Sequence, residues 1–190
     1  MRRSLTASLL FSLIWSTAGL AQTPAPQADP SAPAAQAVPA APASKRKVFD
    51  YWVFVCATLP GATEETCEVD ATLQPEAQLP PVAKLAFVRD PKSQTVRLVA
   101  IVQANLKIEP GVEVAADAEK SGVILGFRSC LNSACLADAV LTAEQLQAFR
   151  NLKAEGRLTI KNAAGEDLSL KVPRHGLDEA LEALVPQKEQ

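Results

Sequence analysis

The residues of this chain with the most distinctive chemistry are four cysteines: Cys56, Cys67, Cys130 and Cys135. They follow an N-terminal segment typical of export, so their thiols would leave the reducing cytosol, and an even number of exported cysteines predicts two disulfides. Four cysteines allow three pairings, and the residues alone do not choose among them. A structural zinc site uses two closely spaced pairs of ligands, and the two cysteine pairs here do not both have that spacing. There is also no Cys-x-x-Cys redox motif.

His175 is the single histidine of the chain. Any Ser/His or Cys/His nucleophile scheme would therefore have to use it. It lies between Arg174 and Gly176, at the start of a predicted helix, where a solvated or capping histidine is the favoured interpretation. We therefore expect no catalytic residues, and no cofactor or metal.

A set of acidic residues near the cysteines is the other group that could do chemistry. Glu64, Glu65, Glu68 and Asp70 lie on and just after the first cysteine loop, and Asp138 follows the second. Paired carboxylates can perform acid/base catalysis or bind calcium, but neither a glycosidase pocket nor a calcium-loop spacing is visible. A solvated loop face is the favoured interpretation. If both cysteine loops lie at one end of a sandwich, Glu64, Glu65 and Asp138 would face a basic partner as a shared acidic rim.

Residues 1–21 have the pattern of a secretory signal peptide. Arg2 and Arg3 give a positive start, residues 5–19 form an apolar run, and small residues precede a cleavage point after Ala21. The apolar run is too short for a stable membrane span, so we expect no transmembrane anchor. The pattern predicts export by the general secretory route.

Residues 22–47 form a second compositional block, dominated by Pro and Ala. Such a segment cannot bury enough apolar surface to offset its ordering entropy, and its prolines favour an extended polyproline geometry. We therefore predict a disordered linker, which would hold the following domain near the cell wall or outer membrane. The basic patch at its end, residues 45–47, has too few charges to define a ligand.

Residues 48–190 are predicted to form one folded domain. They contain 14 Lys or Arg against 20 Asp or Glu, a net charge of −6. This balance disfavours nucleic acid, because phosphates require a basic surface. A segment of about 140 residues is long enough for a single adequate core.

The hydrophobic pattern of the domain predicts strand after strand. Residues 49–56 are apolar on both alternating faces and predict a central strand covered on two sides. Thr142 and Gln145 form a capping box that predicts a first helix, and a second follows Gly176 with apolar residues at helical spacing. We therefore predict a mainly β fold, a single antiparallel β-sandwich or barrel-like domain with two short helices, stapled by disulfides.

Several of these segments together resemble the invasion-associated locus B proteins of Gram-negative bacteria. The resemblance extends over nearly all of residues 48–185. It rests on WVFVC at 52–56, PGV at 110–112, and most specifically FRSC at 127–130 with CLA at 135–137. Departures from the family pattern fall in predicted loops, QAN at 103–105 and VPRH at 172–175.

The resemblance implies an exported, cysteine-paired, mainly β domain of the periplasm or outer surface, with no enzymatic activity or cofactor. The founding members of the family are linked to entry into host cells. Together with the short separations, the resemblance favours pairing Cys56 with Cys67 and Cys130 with Cys135.

From these observations we expect a non-enzymatic envelope or surface binding protein, with host-cell interaction as an extension of that role. Its partner would be an unknown protein or envelope component, and not nucleic acid. A periplasmic envelope-stress or chaperone-like accessory is the alternative. A carboxylate-dependent periplasmic hydrolase is a further alternative, and a partly buried Asp/Glu pair in a deep pocket would favour it.

Overall fold

The computed structural model describes residues 45–58, 60–76, 78–117 and 121–186. The predicted signal peptide, residues 1–21, and the predicted linker up to residue 44 lie outside the described residues. In the described part, strands and helices follow one another in the order β1 (Lys45–Phe49), β2 (Trp52–Thr58), β3 (Glu65–Leu73), β4 (Ala83–Arg89), β5 (Val96–Gln103), β6 (Val112–Ala115), β7 (Val123–Leu131), β8 (Ala134–Val140), α1 (Ala143–Arg150), β9 (Gly156–Lys161), β10 (Asp167–Val172) and α2 (Leu177–Leu184).

The strands form a ten-stranded antiparallel sheet in the order β1-β2-β3-β4-β5-β8-β7-β6-β9-β10. β7 belongs to two pairings, because residues 123–125 pair with β6 and residues 126–131 pair with β8 across a bulge. The sheet curls into a half-barrel, so that β10 contacts β3 across the core. The predicted mainly β fold of barrel-like type with two short helices is confirmed.

The core fills the concave face of this sheet, and both helices lie on that face. At its centre the Trp52 and Phe87 rings lie 5.7 Å apart, and Phe149 of α1 meets Phe87 edge-on at 5.2 Å. α2 packs on β1, β2 and β3. The apolar face of α2, predicted from helical spacing, is fully buried: Leu177, Ala180, Leu181 and Leu184.

The predicted central strand at residues 49–56 is wrong. The chain turns at Asp50 and Tyr51, and Phe49 pairs with Trp52 across a two-residue hairpin. Asp50 has a φ of 50°, a left-handed conformation that Asp adopts more readily than most residues. The apolar run therefore divides between an edge strand, β1, and its neighbour β2, and is not the centre of the sheet.

β1 also includes residues 45–47, which we predicted as the end of the linker. Lys45 pairs with Cys56 in the register of β1 and β2. Composition alone does not reveal this strand, because its stability comes from ladder hydrogen bonds to β2 and not from burial of its own side chains.

Local sequence signals mark where both helices begin. The Thr142 hydroxyl accepts a hydrogen bond from the Gln145 backbone N–H at 3.2 Å, and the Gln145 amide oxygen accepts one from the Thr142 N–H at 2.8 Å. The predicted capping box is thus confirmed. α2 begins after Gly176, whose φ is 81°. A Cβ at this position would lie 2.1 Å from the Phe49 carbonyl oxygen, so only glycine fits there.

The last turn of α2 has no basic residue of its own. Arginines from other elements bind its C-terminal end instead. The side chain of Arg150, 4% exposed, lies 2.8 Å from Glu182. It also donates to the carbonyls of Leu181 and Val185. Arg89 of β4 donates to another carbonyl in the same turn. Cations at a helix C-terminus satisfy its free carbonyls and oppose its dipole, so this cluster fixes α2 on the sheet.

Replacing Arg150 with Ala should lower the free energy of unfolding by about 2 to 3 kcal/mol, because several buried acceptors lose their donor at once. Urea unfolding measures the change. Lys153→Ala is the matched control, since Lys153 is an exposed cation three residues further along the chain, and it should change stability by less than about 0.5 kcal/mol. Equal losses in the two variants would show that Arg150 does not anchor α2.

Each disulfide joins two residues that lie directly opposite each other in neighbouring strands. Cys56 of β2 is bonded to Cys67 of β3, with the sulfurs 2.00 Å apart. Cys130 of β7 is bonded to Cys135 of β8, with the sulfurs 2.09 Å apart. The pairing that the family resemblance favoured is confirmed.

The double variant Cys56→Ser/Cys67→Ser should melt several degrees lower than the native chain. Closing a loop of this length is worth about 3 kcal/mol in the chain-entropy model, and each kcal/mol shifts Tm by roughly 2 to 4 °C. Cys130→Ser/Cys135→Ser removes the disulfide that closes the shorter loop, so this variant should lose less stability, about 2 kcal/mol. Calorimetry of the oxidised proteins compares them, and an unchanged melt of the first variant would contradict a stabilising role.

Candidate functional site

The two disulfides lie at opposite ends of the sheet. Cys135 pairs with Val102, which pairs with Ala83, which in turn pairs with Leu73. Leu73 and Cys67 occupy the same strand, so the two disulfide rows are separated by about 20 Å at roughly 3.3 Å per residue. The hypothesis that both cysteine loops form a shared acidic rim is therefore wrong.

The three candidate partner-facing residues are not brought together. Glu64 is exposed in the turn between β2 and β3, and Glu65, the first residue of β3, lies 3.1 Å from Lys45. Asp138 does not lie in a loop. β8 begins immediately before Cys135, so a residue three positions further on lies within the strand, and the Asp138 side chain is only 11% exposed.

His175 borders a polar cleft of about 350 Å³ near the start of α2. Its Nε2 atom lies 3.4 Å from the guanidinium of Arg174, and Asp50 lines the same cleft. None of the described residues that line it is a Ser, Thr or Cys. The described part of the chain thus assembles no Ser/His or Cys/His pair around this histidine.

One group of metal-ligand types occurs among the described residues. Ligand atoms of Cys56, Glu65 and Cys67 lie within 4.8 Å of one another. Both sulfurs are bonded to each other, so neither is available as the thiolate that a metal site requires.

The described part of the chain contains the helices α1 and α2, of 8 residues each. None of its helices is long and apolar enough to cross a membrane.

The convex face of the sheet, called the outer face below, is unusually apolar at its centre. On β5, Leu98 and Ala100 point into the core, so Val99 and Ile101 point outward, because side chains alternate along a strand. Neighbouring strands continue this apolar surface. The apolar stripe, as we call it, consists of Ala86 and Val88 on β4, Val99 and Ile101 on β5, and Leu136 and Val140 on β8.

The apolar stripe reaches solvent mainly at Ile101 and Val140, since Ala86 is buried and the other members are half-buried. Ile101 is 38% exposed and Val140 is 48% exposed. Both helices pack on the concave face, so neither covers it. Exposed apolar side chains rimmed by charged groups are a marker of an interaction site.

An acidic ladder borders the apolar stripe on one side. Lys84 of β4 lies 3.0 Å from a Glu68 carboxylate oxygen and 3.4 Å from an Asp70 carboxylate oxygen on β3. Two carboxylates therefore share one ammonium, and Arg46 of β1 adds a further positive charge near Asp70. Burial raises the pKa of Asp70, and the nearby Lys84 only partly opposes this.

A basic ladder crosses the apolar stripe from β5 to β7, since Arg97 lies between Val88 and Val140. Arg97 of β5 lies 2.8 Å from one carboxylate oxygen of Asp138, and Arg128 of β7 donates to the other. Two guanidinium groups share one carboxylate, so this ladder carries a surplus positive charge. Burial acts to raise the pKa of Asp138, but the hydrogen bonds from Arg128 and Arg97 outweigh it, and the pKa lies below its ordinary value.

This arrangement is suited to binding a surface. The apolar stripe supplies area that water leaves on binding, and the two ladders supply orientation. The acidic ladder does not form the pocket that a carboxylate-dependent hydrolase needs, because Glu68 and Asp70 share Lys84 on an open sheet face.

Sequence reasoning missed this surface, although two signals for it were present. Residues 96–102 (VRLVAIV) are apolar on both alternating faces except at Arg97, which is the pattern of a strand with two apolar faces. Arg128 lies in the FRSC segment, which we used only as a family signature. Strand order was the missing information, since it alone brings β3, β5 and β7 onto one surface.

Asp138→Asn should destabilise the fold at pH 7 by about 1 kcal/mol, because Arg97 and Arg128 lose their shared carboxylate. The folded-state pKa of Asp138 lies below the ordinary 3.8, so the ionised group stabilises the fold above pH 3.8. That stabilisation is lost as the pH falls through the folded-state value. The difference between native and variant chains should therefore shrink below pH 3.8 in urea titrations.

Asp167→Asn is the control for this experiment, since Asp167 is 58% exposed in its pair with Lys161. It should leave stability nearly unchanged at pH 7. A native-to-variant difference at Asp138 that does not depend on pH would contradict the assigned ion pairs.

Comparisons with known proteins agree with this fold. The family model described as Invasion associated locus B (IalB) protein matches residues 52–185. The structure is similar to the crystal structure of invasion associated protein b from Bartonella henselae, with a TM-score of 0.62 and 20% sequence identity. That similarity covers 75% of this chain and 96% of the other. A comparison with curated protein sequences found no match. Since the family match spans well over half of the sequence, the chain belongs to the invasion-associated locus B (IalB) family.

Proposed function

We propose that this chain is an exported, non-enzymatic binding protein of the bacterial envelope or outer surface, and that it binds a protein partner through the outer face of its sheet. The observation that carries the proposal is the apolar stripe together with the acidic and basic ladders on the same face. The stripe is a surface and not a pocket, which favours a macromolecular partner over a small substrate.

The pairing of charges within the ladders allows a partner to cover this face. Burying an unpaired charge is costly, but the main charges around the stripe already have an opposite charge within their own ladder. A partner would therefore remove apolar area from water without first having to neutralise isolated charges. Each Å² of apolar area removed is worth about 25 cal/mol before the entropic cost of association.

Two observations support a location outside the cytosol. Both disulfides are formed, and structural disulfides persist mainly in oxidising compartments. The IalB family match points to the same envelope or extracellular setting. The predicted signal peptide and linker fit this proposal, and the linker would leave the outer face free to meet a partner near the cell envelope.

Host-cell interaction is a narrower form of the proposal. It is supported by the name of the Bartonella henselae protein, which associates that protein with invasion. At 20% identity the similarity carries the fold and not a partner. We therefore place the protein partner in the envelope or on the cell surface first, and host contact second.

Site-specific photocrosslinking in living cells tests the proposal. A photoreactive residue at Ile101, within the apolar stripe, should yield a defined protein adduct that mass spectrometry identifies. The same residue at Ile108 is the matched control, since Ile108 is 53% exposed but lies outside the stripe. It should yield little or no adduct.

Ile101→Asp should lower the yield of that adduct, measured from a second stripe position such as Val140, by about tenfold or more, because it places a charge in the apolar centre of the contact. Its melting temperature should stay close to the native value, because Ile101 already contacts solvent. Equal adduct yields from Ile101 and Ile108, or no adduct from the stripe, would contradict binding through this face.

A further inference from the structure

We propose that the free edge of β1 binds an extended segment of another protein, which adds to the sheet as a further strand and directs a basic and an apolar side chain into the groove between β1 and α2. This inference goes beyond the proposed role of the outer face, because it concerns a different surface. It follows from the backbone of β1 and from the side chains that α2 places beside it.

β1 is the first strand in the sheet order, and none of the described strands pairs with its other side, called the open edge below. The Cα atoms of Cys56 and Cys67 lie 4.0 Å apart, the short separation of a pair that exchanges no backbone hydrogen bonds. The backbone groups of Cys56 therefore bond to Lys45 of β1, and every second residue of β1 after Lys45 also bonds to β2. The N–H and C=O groups of Arg46 and Val48 consequently point to the open edge.

α2 runs beside β1 in the opposite direction. Gly176, just before α2, lies against Phe49 at the end of β1. The carbonyl of Leu184, at the end of α2, is bound by Arg89, which occupies the same row of the sheet as Lys45 at the start of β1. The two elements therefore extend side by side over the same length, and a groove of about 740 Å³ lies between them.

A strand edge beside a helix is suited to binding an extended peptide. Backbone hydrogen bonds to the strand supply affinity, and pockets for alternate side chains supply specificity. A segment about 4.8 Å from β1 would bond to the open edge and direct every second side chain toward α2. The described residues that line the groove are Lys47, Phe49, Asp178, Glu179, Glu182, Ala183 and Pro186.

The charges of the groove favour a basic side chain. Three carboxylates line it against one cation, Lys47. The buried Arg150 lies 2.8 Å from Glu182 and 4.0 Å from Asp178, so it neutralises one of the three. Glu179 is exposed and forms no ion pair with any described residue. One carboxylate of the groove is thus left to pair with a cation of the bound segment.

The order of side chains along α2 gives the pattern expected of that segment. Asp178 and Glu179 lie in the first turn, beside the end of β1, where they favour a Lys or Arg side chain. Ala183 and Pro186 lie at the other end of α2, where they offer apolar contact. Groove-facing positions of a strand recur every second residue, so we expect a basic residue and an apolar one separated by two or four positions.

A second copy of this chain is a poor occupant of the open edge. Residues 45–47 are all basic, and strand pairing that uses both Arg46 and Val48 of each copy would place the two Lys47 side chains directly beside each other. Like charges directly opposite in a sheet are destabilising. Cations on an edge strand also protect natural sheets against self-association. The open edge therefore favours a different protein.

Photocrosslinking in living cells, combined with backbone variants, tests the proposal. A photoreactive residue at Ala183 should yield an adduct with another protein, and the same residue at Gln147, an exposed position of α1 outside the groove, should not. Val48→Pro removes an N–H of the open edge but no hydrogen bond between β1 and β2, so it should lower the adduct yield by about tenfold. Val48→Thr keeps this N–H and should leave the yield close to the native value.

Side-chain variants test the expected pattern. Glu179→Gln should lower the yield by about threefold, because the bound cation loses its partner. Glu76→Gln, the same change in the loop between β3 and β4, should not lower it. Mass spectrometry should map the crosslink to a segment with alternating basic and apolar residues. If Val48→Pro lowers the melting temperature, Arg46→Pro, which removes the other N–H of the open edge, replaces it.

Equal yields from Val48→Pro and Val48→Thr would overturn strand addition at β1. So would the absence of an adduct from Ala183, or equal yields from Ala183 and Gln147. An adduct that joins two copies of this chain, or that joins Ala183 to residues 22–44 of the same chain, would overturn a different protein as the occupant.

Discussion

The docking of α2 on the concave face is the interaction on which the rest of the structure depends. A half-barrel leaves its inner side chains open unless another element covers them, and α2 is pinned there at both ends. Gly176 allows the close approach to Phe49 at its start, and Arg150 holds its final carbonyls. The Trp52 indole adds a hydrogen bond of 3.0 Å to the Pro173 carbonyl just before the helix. With its concave side filled, the described part of the sheet presents its outer face for other contacts.

The parts of this fold that depend on neighbouring residues could be predicted from the sequence, and those that depend on strand order could not. The capping box at Thr142 and the buried spacing of α2 are local patterns, and the structure contains both. The hairpin at Asp50 was missed because apolar residues on both sides of a turn look like one continuous strand. The prediction of a shared acidic rim was wrong for a related reason, since nearness to a cysteine in sequence does not show at which end of the sheet that cysteine lies.

The candidate site needed the same long-range information. Lys84, Arg97 and Arg128 are far apart in sequence, and each alone is an ordinary surface cation. Antiparallel pairing places them on one face, where each ladder has an unequal number of positive and negative groups. Local patterns can indicate that a strand has two apolar faces, but only the order of strands shows that these charged groups share one face with the apolar stripe.

The position of the Cys56–Cys67 bond has a mechanical consequence. Lys45, where the described chain begins, is opposite Cys56 in the register. Tension applied from the N-terminal side would open the β1–β2 ladder one rung at a time, because the load reaches a single pair of strands at its end. The next boundary, between β2 and β3, is covalently closed at that same level. Once β1 is removed, the load would enter β2 at Trp52, and peeling would stop at the disulfide before β2 separates from β3.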